Sequence, residues 1–255
     1  MTDAPVVFLH GTNGGPWTME NFSRYFEAQG YACHAPAYRF HDMPPSEARD
    51  AVLKGLSIAD YVDDLSAFIE TLDQPPVLVG HSLGGLVAQL LAAKGLARSA
   101  VLLNSSIING TLPTTERERR LGKLFISAGA FWEETPGQDF DLLADFGLNT
   151  LPETLQHQLY DRLDTESGRV LFEFVFWMYD ENQTTKVDID AVTCPLLFLS
   201  GSEDRAVPPS TARAMAARYG DRAQFAEIEG ACHYMQFDDG WEKTAQHCID
   251  WLKGL

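Results

Sequence analysis

One short segment, G-H-S-L-G at residues 80–84, constrains this chain more than any other, because it joins a strand-like run to a helix-like run. Residues 76–79 are apolar and favour a strand buried on both faces, whereas apolar residues after Leu83 recur with the period of a helix. The corner between them strains the serine backbone, and only a residue as small as glycine fits two positions before and after it. The segment therefore predicts a nucleophilic serine, Ser82, lifted clear of a sheet at the N-terminus of a helix.

A serine hydroxyl is a weak nucleophile, so this prediction requires an acid and a base later in the chain, in that order. A second strand of the buried type, residues 195–200, leads into Glu203 and Asp204. Both carboxylates follow the carboxyl end of a strand, which is the edge where such sheets bind ligands. We choose Asp204 as the acid and interpret Glu203 as a solvated loop carboxylate.

The expected general base is His233, which follows the last predicted strand at about 224–229. Asp204 would set its tautomer and stabilise its imidazolium. Two other histidines have simpler interpretations, since His10 fits a packing or loop-fixing role and His81 lies inside the turn that carries the serine. The remaining four have no matching acid nearby in the sequence: His34, His41, His157 and His247.

These motifs resemble those of the α/β-hydrolase family, in its branch of serine esterases, lipases and perhydrolases. The resemblance extends from Val6 to Leu252, and its matching segments are His10-Gly11, residues 80–84, residues 201–208 and His233 after Gly230. It implies that the backbone amides of Leu83 and Thr12 form an oxyanion hole, with Asn13 as an alternative to Thr12. It also implies an enzyme without a metal or organic cofactor. The chain departs from many relatives after Arg39, where Phe40 replaces a glycine, and we expect this bulky residue to alter the loop.

Alternating strands and helices predict an α/β fold with a mostly parallel, doubly wound sheet of about six strands, covered on both faces. The predicted strands are 6–9, 31–35, 76–80, 99–104, 195–200 and 224–229. The predicted helices are 19–29, 59–72, 84–94, 209–219 and 241–253.

The alternation stops between Asn104 and about Asp190, so we expect a core made of 1–104 and 191–255 with an insertion at 105–190. In the family that the chain resembles, a helical cap occupies this position. The insertion is rich in large apolar side chains, which predicts an aromatic-walled chamber with a restricted mouth. The pocket residues that we name from this set are Trp132, Phe176 and Trp177.

The net charge and the distribution of apolar residues limit the binding partners that we expect. The net charge of −17 repels nucleic acid and anionic membranes, so we expect neither as a partner. The chain lacks an apolar run of about 18 residues, and it lacks a basic segment before its first strand. We therefore expect neither a membrane span nor a secretory signal, and hence a cytoplasmic protein.

Cys232 adjoins the expected base, but it lacks the turn and helix that would activate a thiol. The oligomeric state is left open.

We therefore expect hydrolysis of a small or medium apolar carboxylic ester, or a lactone, through an acyl-enzyme on Ser82. Two alternatives stay open. The same triad could serve perhydrolysis, carbon–carbon bond hydrolysis or cyanohydrin lysis, or the chain could be a ligand receptor that retains a slow triad. Dehalogenase and epoxide hydrolase chemistry are disfavoured, because their nucleophile is an aspartate and this position holds serine.

Overall fold

Six parallel strands form one sheet at the centre of the fold in the computed structural model, which describes residues 4–255. Their order across the sheet is β2-β1-β3-β4-β5-β6. This sheet confirms the predicted α/β class and the predicted number of strands. The strands are β1 (Val6–Leu9), β2 (Cys33–His34), β3 (Val77–His81), β4 (Ser99–Leu103), β5 (Leu196–Gly201) and β6 (Ala223–Ile228).

Ten helices accompany the sheet within residues 4–255, and each is too short or too polar to span a bilayer. The five helices predicted outside the insertion are present. The sequence analysis did not predict α2, a short helix capped by Ser46, whose side chain accepts a hydrogen bond from the Arg49 amide. The helices are α1 (Glu20–Ala28), α2 (Glu47–Leu53), α3 (Ile58–Glu70), α4 (Leu83–Ala93), α5 (Glu116–Ser127), α6 (Phe140–Phe146), α7 (Glu153–Tyr160), α8 (Gly168–Val175), α9 (Pro209–Ala217) and α10 (Trp241–Lys253).

The sheet separates two apolar cores because successive strand residues point to opposite faces. In β1, Val7 and Leu9 pack with α3, α4 and α9, whereas Val6 and Phe8 pack with α1 and α10. All four residues of β1 are buried, as expected for a central strand covered on both faces. Burial of apolar area on both faces therefore fixes the sheet on which the site is built.

The direction of strand addition changes at β1, since the chain continues from β1 to β2 on one side and then to β3 on the other. Such a reversal opens a crevice at the carboxyl ends of the two inner strands, where ligands of α/β sheets bind. Thr12 follows β1 and Ser82 follows β3, so both residues lie at this crevice.

Four helices, α5 to α8, lie between β4 and β5, in the segment predicted as an insertion. Part of this segment packs on the loop after β6, where Leu143, Leu148 and Leu159 form a small apolar cluster with Cys232 and Tyr234. In contrast, every residue of α5 is at least partly exposed. Thus α6 and α7 pack more closely on the rest of the fold than α5 does.

Candidate active site

The turn between β3 and α4 holds Ser82 in a strained backbone conformation, with φ 52° and ψ −117°. A Cβ atom on Gly80 would lie 2.2 Å from the Gly84 carbonyl oxygen, and one on Gly84 would lie 2.1 Å from the Leu9 carbonyl oxygen. These distances are far below van der Waals contact, so both positions require glycine. The Ser82 amide donates to the Leu103 carbonyl oxygen at 3.0 Å, which anchors the turn to β4.

Asp204 and His233 form a buried pair, although they come from different loops. His233 Nδ1 donates to Asp204 Oδ2 at 2.8 Å. The other carboxylate oxygen accepts from the amides of Ala206 and Val207 at 2.8 and 2.9 Å, so the Asp204 side chain has one orientation. With its proton on Nδ1, a neutral His233 keeps Nε2 as a proton acceptor. Glu203, the alternative acid, is exposed.

Asn104, which the sequence analysis did not single out, connects these two loops. It directly follows β4 with φ 46°, and it is fully buried. Its Nδ2 donates to the carbonyl oxygens of Cys232 and His233, both at 2.8 Å, and its Oδ1 accepts from the Gly201 amide at 2.8 Å. An asparagine at the end of a buried strand is the one sequence signal that could have indicated this role.

His81 also forms a hydrogen bond with the loop that carries His233. Its Nε2 donates to the His233 carbonyl oxygen at 2.9 Å. Burial, together with the nearby His233, lowers the pKa of His81 to about 3, so this ring is neutral near neutral pH and does not compete with His233 for the role of the base.

Different observations support the two backbone amides that we expect at the oxyanion hole, those of Leu83 and Thr12. Leu83 is the first residue of α4, so its N–H is one of those that a helix leaves without an intrahelical acceptor. Thr12 lines the same cavity as Ser82. The Asn13 amide instead points to Glu166 Oε2 at 3.4 Å, which supports Thr12 over Asn13 as the second donor.

Asn13 ties the loop after β1 to the inserted segment. Its Nδ2 donates to the carbonyl oxygens of Pro136 and Asp164 at 3.1 and 2.8 Å, and its Oδ1 accepts from Gln138 Nε2 at 2.7 Å. The Asn13 carbonyl oxygen accepts from the Asp164 amide at 2.8 Å. The position of the Thr12 amide therefore depends on contacts from the insertion.

A buried ion pair, Glu166 with His41, lies behind this loop. His41 Nε2 is 3.2 Å from Glu166 Oε2, and both side chains are fully buried. Burial alone would raise the pKa of Glu166, but the His41 charge and hydrogen bonds from His41 and Tyr61 more than offset it, so this pKa is lowered. Burial would likewise lower the pKa of His41, but Glu166 raises it overall. Burial and the His41 charge lower the pKa of neighbouring His10 to about 3.

The loop that carries His41 keeps a conformation that suits glycine. Phe40, which replaces the glycine of many relatives, has φ 67°. This left-handed conformation is costly for a bulky side chain. The chain therefore places a bulky residue where the backbone conformation suits glycine.

Ser82 and His233 line one apolar cavity of about 330 Å³, together with Gly11, Thr12 and Ser106. The Ser106 hydroxyl lies 3.3 Å from the Ser82 hydroxyl. The insertion supplies most of the apolar wall, including Phe125, Phe131, Leu142, Phe146, Leu171 and Phe174. The site can therefore hold an apolar molecule against a serine hydroxyl and an imidazole.

A second cavity of about 410 Å³, which we call the side chamber, adjoins the first between α5 and residues 174–179. Phe176 and Trp177, two of the predicted pocket residues, line the side chamber. Trp132, the third predicted pocket residue, lines neither of these two cavities: it is 42% exposed, and its ring packs against Phe131 and Phe172. The buried neighbour Phe131 forms the cavity wall at this turn instead.

The four cysteines are free thiols. Burial, with a contribution from the Asp238 charge, raises the pKa of Cys232 to about 12. Because the thiolate is the nucleophile, this thiol is inert near neutral pH despite its position next to His233.

A model of the alpha/beta hydrolase family matches residues 6–247, nearly the whole chain. Among curated proteins, the chain is similar to a carboxylesterase from Bacillus subtilis (strain 168), with 42% identity over 45 residues. This matched stretch spans 18% of the chain and only 18% of the length of that relative.

Solved structures with the same fold cover the chain almost completely. A monoacylglycerol lipase from Paleococcus ferrophilus is 21% identical, with a TM-score of 0.71 over 98% of this chain and 95% of the lipase. A variant of methylketone synthase I from tomato, in complex with beta-ketoheptanoate, is 15% identical, with a TM-score of 0.75 over 100% of this chain and 99% of the synthase. At these identities the likeness concerns the fold.

Proposed function

The chain belongs to the alpha/beta hydrolase family, and on this premise we propose that it is a serine hydrolase that cleaves a small or medium apolar carboxylic ester or a lactone. The main support is the Asp204–His233 pair, which adjoins the same apolar cavity as Ser82 on its strained turn. The carboxylesterase and the lipase among the similar proteins are consistent with this reaction class. The triad is Ser82, Asp204 and His233.

Acylation begins when Ser82 Oγ attacks the carbonyl carbon of the ester and His233 Nε2 accepts the hydroxyl proton. Asp204 holds the Nδ1 proton of the imidazolium and stabilises its positive charge. The amides of Leu83 and Thr12 donate to the oxyanion that develops on the carbonyl oxygen. Each such donor typically contributes about 10²–10³ in rate.

The leaving alkoxide takes the proton from His233 Nε2 as the bond between the carbonyl carbon and the alcohol oxygen breaks. A water molecule then enters, loses a proton to His233 and attacks the acyl-enzyme. Collapse of the second tetrahedral intermediate returns that proton to Ser82 Oγ and releases the acid. The covalent intermediate implies ping-pong kinetics.

Residues 105–190 act as a cap over this site, and residues 1–104 and 191–255 form the core that carries the triad. The apolar wall that the insertion contributes to the cavity supports this division. Because apolar groups dominate the wall, the cap favours an uncharged, apolar substrate over a polar one.

The proposal is tested with p-nitrophenyl esters from acetate to decanoate and with fluorophosphonate labelling read by intact mass. Wild type should turn over and take one label, and Ser82→Ala should lose both without unfolding. Ser106→Ala is the matched control, since it removes the second serine of the cavity and should still be labelled. Full turnover in Ser82→Ala, or loss of the label in Ser106→Ala alone, would contradict the assignment of the nucleophile.

A further inference from the structure

The side chamber shares part of its wall with the cavity that contains Ser82, which we call the main cavity. Six residues line both: Ser106, Leu121, Phe174, Val175, Ala206 and Val207. Ser106 lies at the junction, because its hydroxyl is 3.3 Å from the Ser82 hydroxyl. A group attached to a carbonyl carbon at Ser82 therefore lies close to a residue that lines both spaces.

The polar groups around the side chamber already have partners. Glu118 Oε1 accepts from the Thr211 hydroxyl at 2.8 Å, and its Oε2 accepts from the Thr115 amide at 3.0 Å. Trp177 Nε1 donates to the Thr111 carbonyl oxygen at 3.2 Å. Arg119 and Lys123 pair with Glu116 at the exposed surface of α5. The interior thus presents apolar side chains, which suit an alkyl or aryl group without charge.

The position of His233 decides whether the acyl group or the alcohol group of an ester enters the side chamber. His233 must protonate the leaving oxygen, so the alcohol lies on the His233 side of the carbonyl carbon. His233 and Tyr234 line the main cavity, and the side chamber lies beyond Ser106. The acyl substituent lies on the other side of the carbonyl carbon, and the side chamber, which His233 does not line, is the apolar space left for it.

We propose that the side chamber between α5 and residues 174–179 is the acyl-chain site, and that the preferred substrate carries an uncharged acyl chain longer than butanoyl. This proposal rests on the function proposed above. An acetyl group has little apolar area to bury, whereas a longer chain buries more of it on Leu121, Phe174 and the rest of the chamber wall. The far end of the chamber reaches the surface at Ile126 and Tyr179, which are 66% and 71% exposed.

Gly122 provides a direct test. It lies inside α5 and lines the side chamber, and a Cβ atom placed on it would meet nothing within 4 Å. Gly122→Leu therefore adds an apolar side chain at the chamber wall from a position where its Cβ atom meets no neighbour, and the helix favours leucine over glycine. Gly122→Ala adds one carbon at the same place and serves as the graded control.

Two substrate series are compared in each variant: p-nitrophenyl esters of increasing acyl length, and acetate esters of increasing alcohol length. Gly122→Leu should lower the ratio of kcat/KM for octanoate to that for acetate by at least about tenfold, the size expected when a few methylenes lose an apolar pocket. Gly122→Ala should lower this ratio less. The preference among alcohols should stay as in wild type.

An unchanged octanoate-to-acetate ratio in Gly122→Leu would overturn the proposal, as would a loss confined to long alcohols. Fluorophosphonate labelling separates this failure from failure of the proposed function. A variant that is labelled on Ser82 but keeps its acyl preference refutes only the acyl-chain site. Wild-type protein that is folded but takes no label refutes the hydrolase and the acyl-chain site together.

Discussion

The side-chain amide of Asn104 donates a 2.8 Å hydrogen bond to the carbonyl oxygen of His233. Through its Oδ1, the same side chain accepts from Gly201, the last residue of β5. Asp204 lies three residues beyond Gly201. One buried residue thus sets the distance between the strand that leads to the proposed acid and the loop that carries the proposed base.

Replacement of Asn104 should impair catalysis more than binding. Asn104→Asp keeps the side-chain shape and tolerates φ 46°, but it removes both donors and places a carboxylate against two carbonyl oxygens. A displaced His233 should lower kcat by about 10- to 100-fold with little change in KM. Steady-state kinetics on a p-nitrophenyl ester measures this.

The matched control for Asn104 is Asn21→Asp. Asn21 Nδ2 also donates to a backbone carbonyl oxygen, that of Gln236, at 3.2 Å. This variant should lose some stability and keep its kcat. A kcat within twofold of wild type in Asn104→Asp would show that the loop is held without this amide.

The two neighbouring carboxylates at residues 203 and 204 should differ sharply. Asp204→Asn removes the carboxylate that holds His233 Nδ1–H and should lower kcat by about 10⁴-fold, because the wrong tautomer is favoured. Glu203→Gln changes an exposed side chain and should leave kcat almost unchanged. Single-turnover and steady-state rates on the same ester measure the loss of kcat in each variant. A large loss in Glu203→Gln would mean that the acid is assigned to the wrong residue.

Two glycine-to-alanine substitutions should change stability in opposite directions. Gly84→Ala forces a Cβ atom to within 2.1 Å of the Leu9 carbonyl oxygen, a backbone atom of a central strand, and should cost at least about 3 kcal/mol. Gly122→Ala adds a methyl group in open space inside α5 and should add about 1 kcal/mol. Urea unfolding of each variant gives the two free energies of unfolding. A loss below about 1 kcal/mol in Gly84→Ala would mean that the turn can relax.

The sequence predicted best where the physical cause is local. Gly80 is constrained by the backbone of Gly84, four positions later, and the six strands follow from short apolar runs. Gly84 is the exception, because its close neighbour is Leu9 on β1. Apolar content alone does not decide which of two adjacent aromatic rings points inward, and here Phe131 rather than Trp132 lines the main cavity.

Contacts between distant segments were not predictable in this way. Asn104 acts through residues 97 and 129 positions later in the chain. His41 is followed in the sequence by Asp42, yet its partner is Glu166, 125 positions away. These contacts form only in the folded protein, so local sequence patterns do not predict them.

The Glu166–His41 pair should make stability depend on pH in a defined direction. The pKa of His41 is raised above its ordinary 6.5, so its contribution is complete below about pH 6.5 and is lost as pH rises through the raised value. The pKa of Glu166 is lowered below 4.5, so its contribution is lost only as pH falls through that lower value. The pair therefore stabilises most between these two ordinary values.

Glu166→Gln should test this window. At about pH 6 the variant leaves the buried His41 without its partner and should cost about 3–5 kcal/mol. The difference should shrink toward about pH 9, because the imidazole of the wild type loses its charge as pH rises through the raised pKa of His41. Asp64→Asn is the control, because it breaks a partly exposed pair with Arg39 and should cost at most about 1 kcal/mol at both pH values. Urea unfolding of the three proteins at both pH values measures the differences. An equal cost for Glu166→Gln at about pH 6 and about pH 9 would mean that His41 does not change its charge in this range.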